Sequence, residues 1–199
     1  MENIRELLED VVSKYGANKA FTLKQGNGEY RDISYSRYYE EVRCLGEALL
    51  CRGFSNTRIV IIGKNSYNWY LANITTLVTG NITVPLDKEL KYEEFETSLI
   101  RSKAEVIFYD ENEAESVAKA IKTGKTNIKA AFPLFKAADK TDIYDLTVEG
   151  KELIEGGSDK YGAVTIDPDT MSFMIFTSGT TSQSKIVMLS HRNVVSNVV

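Results

Sequence analysis

Hydrophobic positions along this chain change rhythm twice. Residues 2–15 carry Ile4, Leu7, Leu8, Val11, Val12 and Tyr15 at helical spacing, and the run ends at Gly16, which predicts an amphipathic helix. Lys19–Lys24 and Glu29–Tyr35 then flank Gly26-Asn27-Gly28, the form of a β-hairpin, with Asn27-Gly28 suited to a tight primed turn. Ser36 is the expected N-cap of a helix to about Arg52. Its apolar face is read as Tyr39, Val42, Leu45, Leu49 and Leu50, with Gly53 as the stop.

From Arg58 the pattern becomes one of alternation between short runs and longer ones. Ile59–Ile62, Ile82–Leu86, Val106–Tyr109 and Ile128–Phe132 are β-branched or aromatic and read as strands. Between them lie helical patterns near Tyr67–Thr79, Lys91–Lys103 and Glu111–Lys122. A strand about every two dozen residues with a helix in each gap predicts an α/β fold: a parallel sheet with crossover helices. Pro85 is expected to mark the end of its strand. In such sheets ligands collect at the carboxyl ends of the strands, an edge that includes Gly63-Lys64-Asn65-Ser66, Leu86-Asp87 and Asp110. Asn65 with Ser66 reads as a helix cap, Trp69 as packing and Lys64 as a solvated loop lysine. Tyr144 to about Ile154 is expected to be helical before Gly156-Gly157, and Asp167-Pro168-Asp169 reads as a connection.

The last rhythm is a pair of strands, Ser172–Phe176 and Ile186–Leu189, around a polar tip, with a helix beginning only at Ser190. The tip is Thr177-Ser178-Gly179-Thr180-Thr181-Ser182-Gln183-Ser184-Lys185. Hydroxyls donate hydrogen bonds, glycine lets backbone N–H groups approach closely, and lysine supplies charge, so the run suits an anion and reads as a phosphate-binding loop. It is not a Walker A loop: no second glycine precedes Lys185, and Ile186 follows it where Ser or Thr is needed. An ordinary Ser/Thr-rich surface hairpin is the alternative.

Composition narrows the function without naming it. The chain has 199 residues, 43% hydrophobic and 26% charged, as a globular α/β protein does. A formal net charge of −4 argues against a nucleic-acid partner. No window approaches the roughly 18 apolar residues of a transmembrane segment, and the acidic start Met1-Glu-Asn-Ile-Arg-Glu6 is unlike a signal peptide, so the expected compartment is cytoplasmic. Cys44 and Cys51 lie seven apart on one predicted helix and read as buried thiols rather than a zinc pair or a disulfide. His191, the sole histidine, leaves no room for a His-based metal cluster or a Ser-His triad.

The terminal hairpin resembles the signature of the AMP-forming adenylating enzymes: acyl-CoA synthetases, luciferases and peptide-synthetase adenylation domains. Their run T-S-G-T-T-G-x-P-K-G-V, followed by an apolar strand and T/S-H-x-N, is matched by Thr177, Ser178, Gly179, Thr180, Thr181, Lys185, Val187 and Ser190-His191-Arg192-Asn193. Ser182, Ser184 and Ile186 depart from it, standing where the pattern has glycine, proline and glycine. Gly63-x-Asn65, Trp69 and Val84-Pro85-Leu86-Asp87 extend the likeness, and from the first hairpin onward the chain is similar to the N-terminal part of bacterial long-chain acyl-CoA synthetases.

The resemblance implies adenylation. A carboxylate attacks the α-phosphate of ATP, pyrophosphate leaves, and the acyl group of the resulting acyl-adenylate passes to a thiol, usually that of CoA. In that scheme Thr177, Ser178, Gly179, Thr180, Thr181, Ser182 and Lys185 hold the β and γ phosphates, Thr180 helps to hold Mg²⁺, and no residue of this chain is assigned to catalysis. His191 opens the helix capped by Ser190 in a structural role. The resemblance covers only the first part of a family member. The expectation is therefore an N-terminal piece, inactive alone, whose partners include the remainder of its own chain. It divides into an α/β lobe over 1–165 and the start of a next lobe over 166–199, whose last thirty-odd residues would lack the sheet they join. A nucleotide-binding module and a non-catalytic interaction lobe with a decayed loop stay open as other readings.

Overall fold

The computed structural model describes residues 1–177 and 184–198. Helix α1 (Ile4–Tyr15) begins where Asn3 accepts the Glu6 N–H. A hairpin of β1 (Lys19–Lys24) and β2 (Tyr30–Ser34) follows, then α2 (Tyr35–Cys51). The alternating part is β3 (Arg58–Ile62), α3 (Tyr67–Val78), β4 (Ile82–Leu86), α4 (Tyr92–Ser102) and β5 (Val106–Tyr109). It continues through a 3-10 turn at Glu111–Glu113 into α5 (Ala114–Lys122) and β6 (Ala130–Pro133). Then come α6 (Ile143–Glu155), the single turn α7 (Lys160–Ala163), β7 (Met171–Thr177), β8 (Lys185–Ser190) and α8 (His191–Val195). Among the described residues no helix is long and apolar enough to cross a membrane.

Six strands form one sheet in the order β6-β5-β3-β4-β7-β8, parallel throughout except for the antiparallel β7–β8 pair. The α/β architecture expected from the alternation is thus present. Its middle strands are continuous apolar runs because both faces are covered. Ile59 and Ile61 of β3 point into a core with α1, α2, α3 and α6, whereas Val60 and Ile62 point into a second core with α4 and α5. The C-terminal hairpin, expected as the start of a next lobe to lack the sheet it joins, is not left without one: β7 lies parallel to β4, registered at Thr83 opposite Phe173.

Local differences from the sequence pattern have local causes. Ser34, not Ser36, caps α2, accepting the Arg37 N–H at 3.2 Å, so Tyr38 is the buried tyrosine and Tyr39 is half-buried. The first hairpin does not use a primed turn. Asn27 keeps a negative φ and its Oδ1 accepts the Glu29 N–H at 3.0 Å, while Gly28 alone takes positive φ (86°). Three residues bridge Gln25 and Glu29, a turn with a glycine bulge that needs one left-handed residue rather than two. Pro85 does not end β4, which continues to Leu86; the ladder to β7 is registered only at Thr83, where no proline N–H is called for.

Two contacts that the hydrophobic pattern does not announce lock α2 in place. Helix α6 crosses α2 so closely at Gly150 that an added Cβ would lie 1.7 Å from the Cys44 carbonyl oxygen. A charged residue sits in the middle of the buried α2 face: Glu47 is 0% exposed. Its carboxylate accepts the N–H groups of Lys160 (3.0 Å) and Tyr161 (2.7 Å) and the Ser158 hydroxyl, closing the first turn of α7. Burial alone would raise the Glu47 pKa, but the hydrogen bonds from Ser158, Tyr161 and Lys160 outweigh it and hold the carboxyl below its ordinary value.

A group held below its unfolded pKa stabilises the fold above the unfolded value, and that contribution is lost as pH falls through the folded one. The native protein is therefore expected to lose stability on acidification below about pH 4.5 more steeply than Glu47→Gln, in urea melts taken at successive pH values. Equal slopes would show that Glu47 does not carry the effect. Gly150→Ala is expected to cost about 3 kcal/mol in the same assay, because the α2 backbone must move to admit one methyl. A change under about 0.5 kcal/mol, the size of an ordinary surface substitution, would contradict the close crossing.

Candidate functional site

The sheet delivers the terminal hairpin to the edge where ligands collect. With Phe173 opposite Thr83, β7 and β4 run side by side in one direction, so β7 ends level with the carboxyl end of β4 and the residues Leu86-Asp87. β7 and β8 are in antiparallel register from Met174 opposite Met188 to Thr177 opposite Lys185. That last pair brings a hydroxyl and an ammonium group to the two sides of the loop's mouth, both exposed. Of the predicted phosphate-binding residues, Thr177 and Lys185 are placed in this way. Ser178, Gly179, Thr180, Thr181 and Ser182 lie outside the described residues, and with them the Mg²⁺ assignment of Thr180.

The base of the loop is braced by a residue the motif does not contain. Arg101, in the last turn of α4, donates from Nη1 to the Ser184 hydroxyl at 3.1 Å, and its guanidinium lies 5.5 Å from the centre of the Phe176 ring. The family pattern has proline at position 184, which offers no side-chain acceptor; here serine gives Arg101 a partner. No sequence signal singles out Arg101, since its link to the loop arises only from the sheet order that puts α4 near β7. It adds a second positive charge beside the mouth that Lys185 flanks.

The other end of the hairpin is fixed by polar contacts. Ser190 caps α8 by accepting the Asn193 N–H, and Asn193 reciprocates at the Ser190 N–H at 3.0 Å. Arg192 grips Asp169 with two hydrogen bonds at 2.7 and 3.1 Å, which holds the Asp169 carboxyl below its ordinary pKa. His191, at the first position of α8, is 1% exposed, and burial pushes its imidazole pKa down, so it is neutral near pH 7. Its Nδ1 has no hydrogen-bond partner among the described residues. That environment belongs to a packed side chain.

The remaining landmarks are local. Ser66 caps α3, accepting the Trp69 N–H at 3.2 Å; Trp69 is half-buried and meets Tyr70 edge to face; Lys64 and Asn65 are exposed. Cys44 is buried and Cys51 partly so, both as free thiols. Among the described residues no cluster of three or more His, Cys, Asp or Glu side chains could hold a metal ion.

Against known proteins, the family described as AMP-binding enzyme matches residues 8–199. The chain belongs to that family. Curated relatives include the long-chain-fatty-acid–CoA ligase ACSBG2 of Xenopus laevis, 25% identical over 197 residues, covering 96% of this chain and 26% of that protein. Another is long-chain-fatty-acid–CoA ligase 5 of Mus musculus, 28% identical over 187 residues, covering 88% of this chain and 27% of the relative. The chain thus spans about a quarter of the length of the curated ligases it matches. Among solved structures, the luciferase-like enzyme of the mealworm Zophobas morio superposes with a TM-score of 0.79 at 20% identity, over 96% of this chain and 43% of that one. A long-chain-fatty-acid CoA ligase of Rhodopseudomonas palustris, described as putative, gives 0.79 at 15% identity, over 98% and 46%. These likenesses establish the fold; the sequence match establishes the family.

Proposed function

We propose that this chain is the N-terminal part of an AMP-forming acid–thiol ligase of the acyl-CoA synthetase kind. The enzyme would activate a carboxylic acid as its acyl-adenylate at the expense of ATP, release pyrophosphate, and pass the acyl group to CoA. The observation that carries the reading is the pairing of Thr177 with Lys185 at the end of the β7–β8 hairpin, on the carboxyl edge of a parallel sheet.

The chemistry asks little of this part of the enzyme beyond electrostatics and position. The terminal phosphates of ATP carry dispersed negative charge, and each charge-assisted hydrogen bond to them contributes roughly 1.5–3 kcal/mol. In our reading Thr177, Ser178, Gly179, Thr180, Thr181 and Ser182 offer hydroxyl and backbone donors, Lys185 supplies the cation, and Arg101 keeps the loop's base in place while adding to the positive field. Holding the β and γ phosphates orients the α-phosphate for in-line attack and stabilises the departing pyrophosphate. Mg²⁺, when bound, would neutralise charge on the phosphates, with Thr180 as the proposed contributor from this chain. Nothing in these 199 residues is assigned to proton transfer. Because the chain spans about a quarter of the ligases it matches, we infer that on its own it binds ATP but does not form acyl-adenylate.

The proposal includes a division near residue 165, between an α/β lobe over 1–165 and a segment over 166–199 that leads into the next lobe. Limited proteolysis is expected to cut first in the connection between Val164 and Met171; first cuts inside α2 or α6 would argue for one indivisible unit. The test of function is ATP binding by calorimetry. Lys185→Ala is expected to weaken it by about tenfold to a hundredfold, the loss of one charge-assisted contact. Undiminished affinity would remove the hairpin from the site. ATP–pyrophosphate exchange catalysed by the 199-residue chain alone would overturn its assignment as an inactive part. Binding with no exchange, even when the chain is joined to the rest of a ligase, would favour a nucleotide-binding module instead.

A further inference from the structure

We propose a second ligand site, separate from the hairpin: the crevice between the carboxyl ends of β3 and β5 binds a flat aromatic phosphate. The sheet order is the first reason. After β3 the chain crosses to β4 on one side, whereas β5 lies on the other side of β3 and is followed outward by β6. The connections therefore diverge at the β3–β5 boundary, and in open α/β sheets such a switch point leaves a crevice at the carboxyl edge where ligands bind. A cleft of about 1110 Å³ occupies that place. Lys64-Asn65-Ser66 after β3, Asp110 after β5 and Leu134-Phe135-Lys136 after β6 form its floor, with the β1–β2 hairpin and α6 as its walls.

Its charges are the second reason. Lys24, Arg31 and Lys64 line the cleft, and among the described residues none of them makes an ion pair. The other two cations are already engaged: Arg37 by Glu40 and Glu41, Lys136 by Asp142 and Asp145. Both carboxylates of the cleft are also occupied. Glu41 accepts from Arg37 and from the Tyr67 hydroxyl at 2.6 Å, and Asp110 accepts the N–H groups of Glu111 (2.8 Å) and Lys64 (3.4 Å). Asp110 has no ion pair among the described residues and keeps its negative charge, so three cations from three separate elements stand against one carboxylate, an excess of positive charge suited to a phosphate.

The third reason is apolar. Tyr70 (41% exposed), Tyr144 (47%) and Val148 (57%) are large side chains showing their surfaces to this one cleft. Tyr144 is not free to turn away, because its hydroxyl accepts from the buried Asn68 amide at 2.7 Å. A held ring in one cleft with cations that form no ion pair among the described residues suits a planar body that carries an anion. The phosphate hairpin is elsewhere: β4 and then β7 lie between β3 and β8.

The probe is 1-naphthyl phosphate, titrated into the 199-residue chain and followed by NMR, with 1-naphthol and inorganic phosphate supplying each half alone. Naphthyl phosphate is expected to bind at least tenfold more tightly than either half. Lys64→Glu and Arg31→Glu should each weaken it about tenfold, Tyr144→Ser should weaken it as well, and Lys185→Ala should leave it unchanged. All four substitutions are at partly or fully exposed positions, and unchanged amide spectra report a native fold; Lys64→Gln replaces any charge reversal that disturbs it. Equal binding of 1-naphthol or of phosphate, indifference to the charge reversals, loss of binding in Lys185→Ala, or no binding at all would each overturn the proposal.

Discussion

One register decides what this fold can do: β7 lies parallel to β4 with Phe173 opposite Thr83. A β-hairpin by itself is marginal in water, and a polar tip of hydroxyl residues adds nothing to its stability. Fastened to a buried parallel strand, the same hairpin gains a core contact through Met174 and a fixed direction. The Thr177–Lys185 pair at the loop's mouth then lies at the carboxyl edge of the sheet rather than at the opposite end. Shift that register by one residue and the faces exchange: Met174 would leave the second core, and Phe173, which packs against the first, would turn toward it.

The same reasoning shows why much of the fold can be read from the amino acids and why some of it cannot. Strands such as Ile59–Ile62 and Val106–Tyr109 declare themselves because strands covered on both faces must be apolar throughout, and the intervening helices show their periodicity. Caps and turns are decided by smaller energies, and there the pattern misleads: Ser34 and Ser36 are equivalent as letters, but only the first stands where the backbone leaves the extended region. The sheet order is not written in any local pattern. Nothing in Arg101 or Ser184 announces that they meet, since their contact depends on α4 packing beside a hairpin eighty-odd residues later in the chain. Glu47 was not singled out by the sequence pattern; its use comes from the backbone N–H groups that α7 presents to it.

The candidate site divides along the same line. Its proposed chemistry comes from the amino acids alone, because a run of hydroxyls around a glycine and ending in lysine suits an anion. The geometry of the mouth required the structure. The crevice at β3 and β5 was visible only as a list of carboxyl-edge residues, Gly63 to Ser66 and Asp110. That three cations without an ion pair among the described residues and the exposed rings line one cleft follows from the packing of α6 and the first hairpin against that edge.

The three departures from the family pattern are not equivalent once the strands are in place. Ile186 belongs to β8, stands opposite Phe176 and packs against the second core. A β-branched residue suits that position better than glycine, so this substitution adds stability to the strand and makes no demand on the loop. Ser184 exchanges the stiffness of proline for a hydrogen bond from Arg101, replacing a constraint within the chain by one from a neighbouring helix. A loop restrained from α4 depends on the packing of that helix, and hence on whatever covers α4, in a way that a proline-stiffened loop does not. Ser182 alone retains the question of whether a Cβ is tolerated where the pattern has glycine. Evidence of a decayed loop would therefore have to come from Ser182, because the other two residues have structural uses of their own.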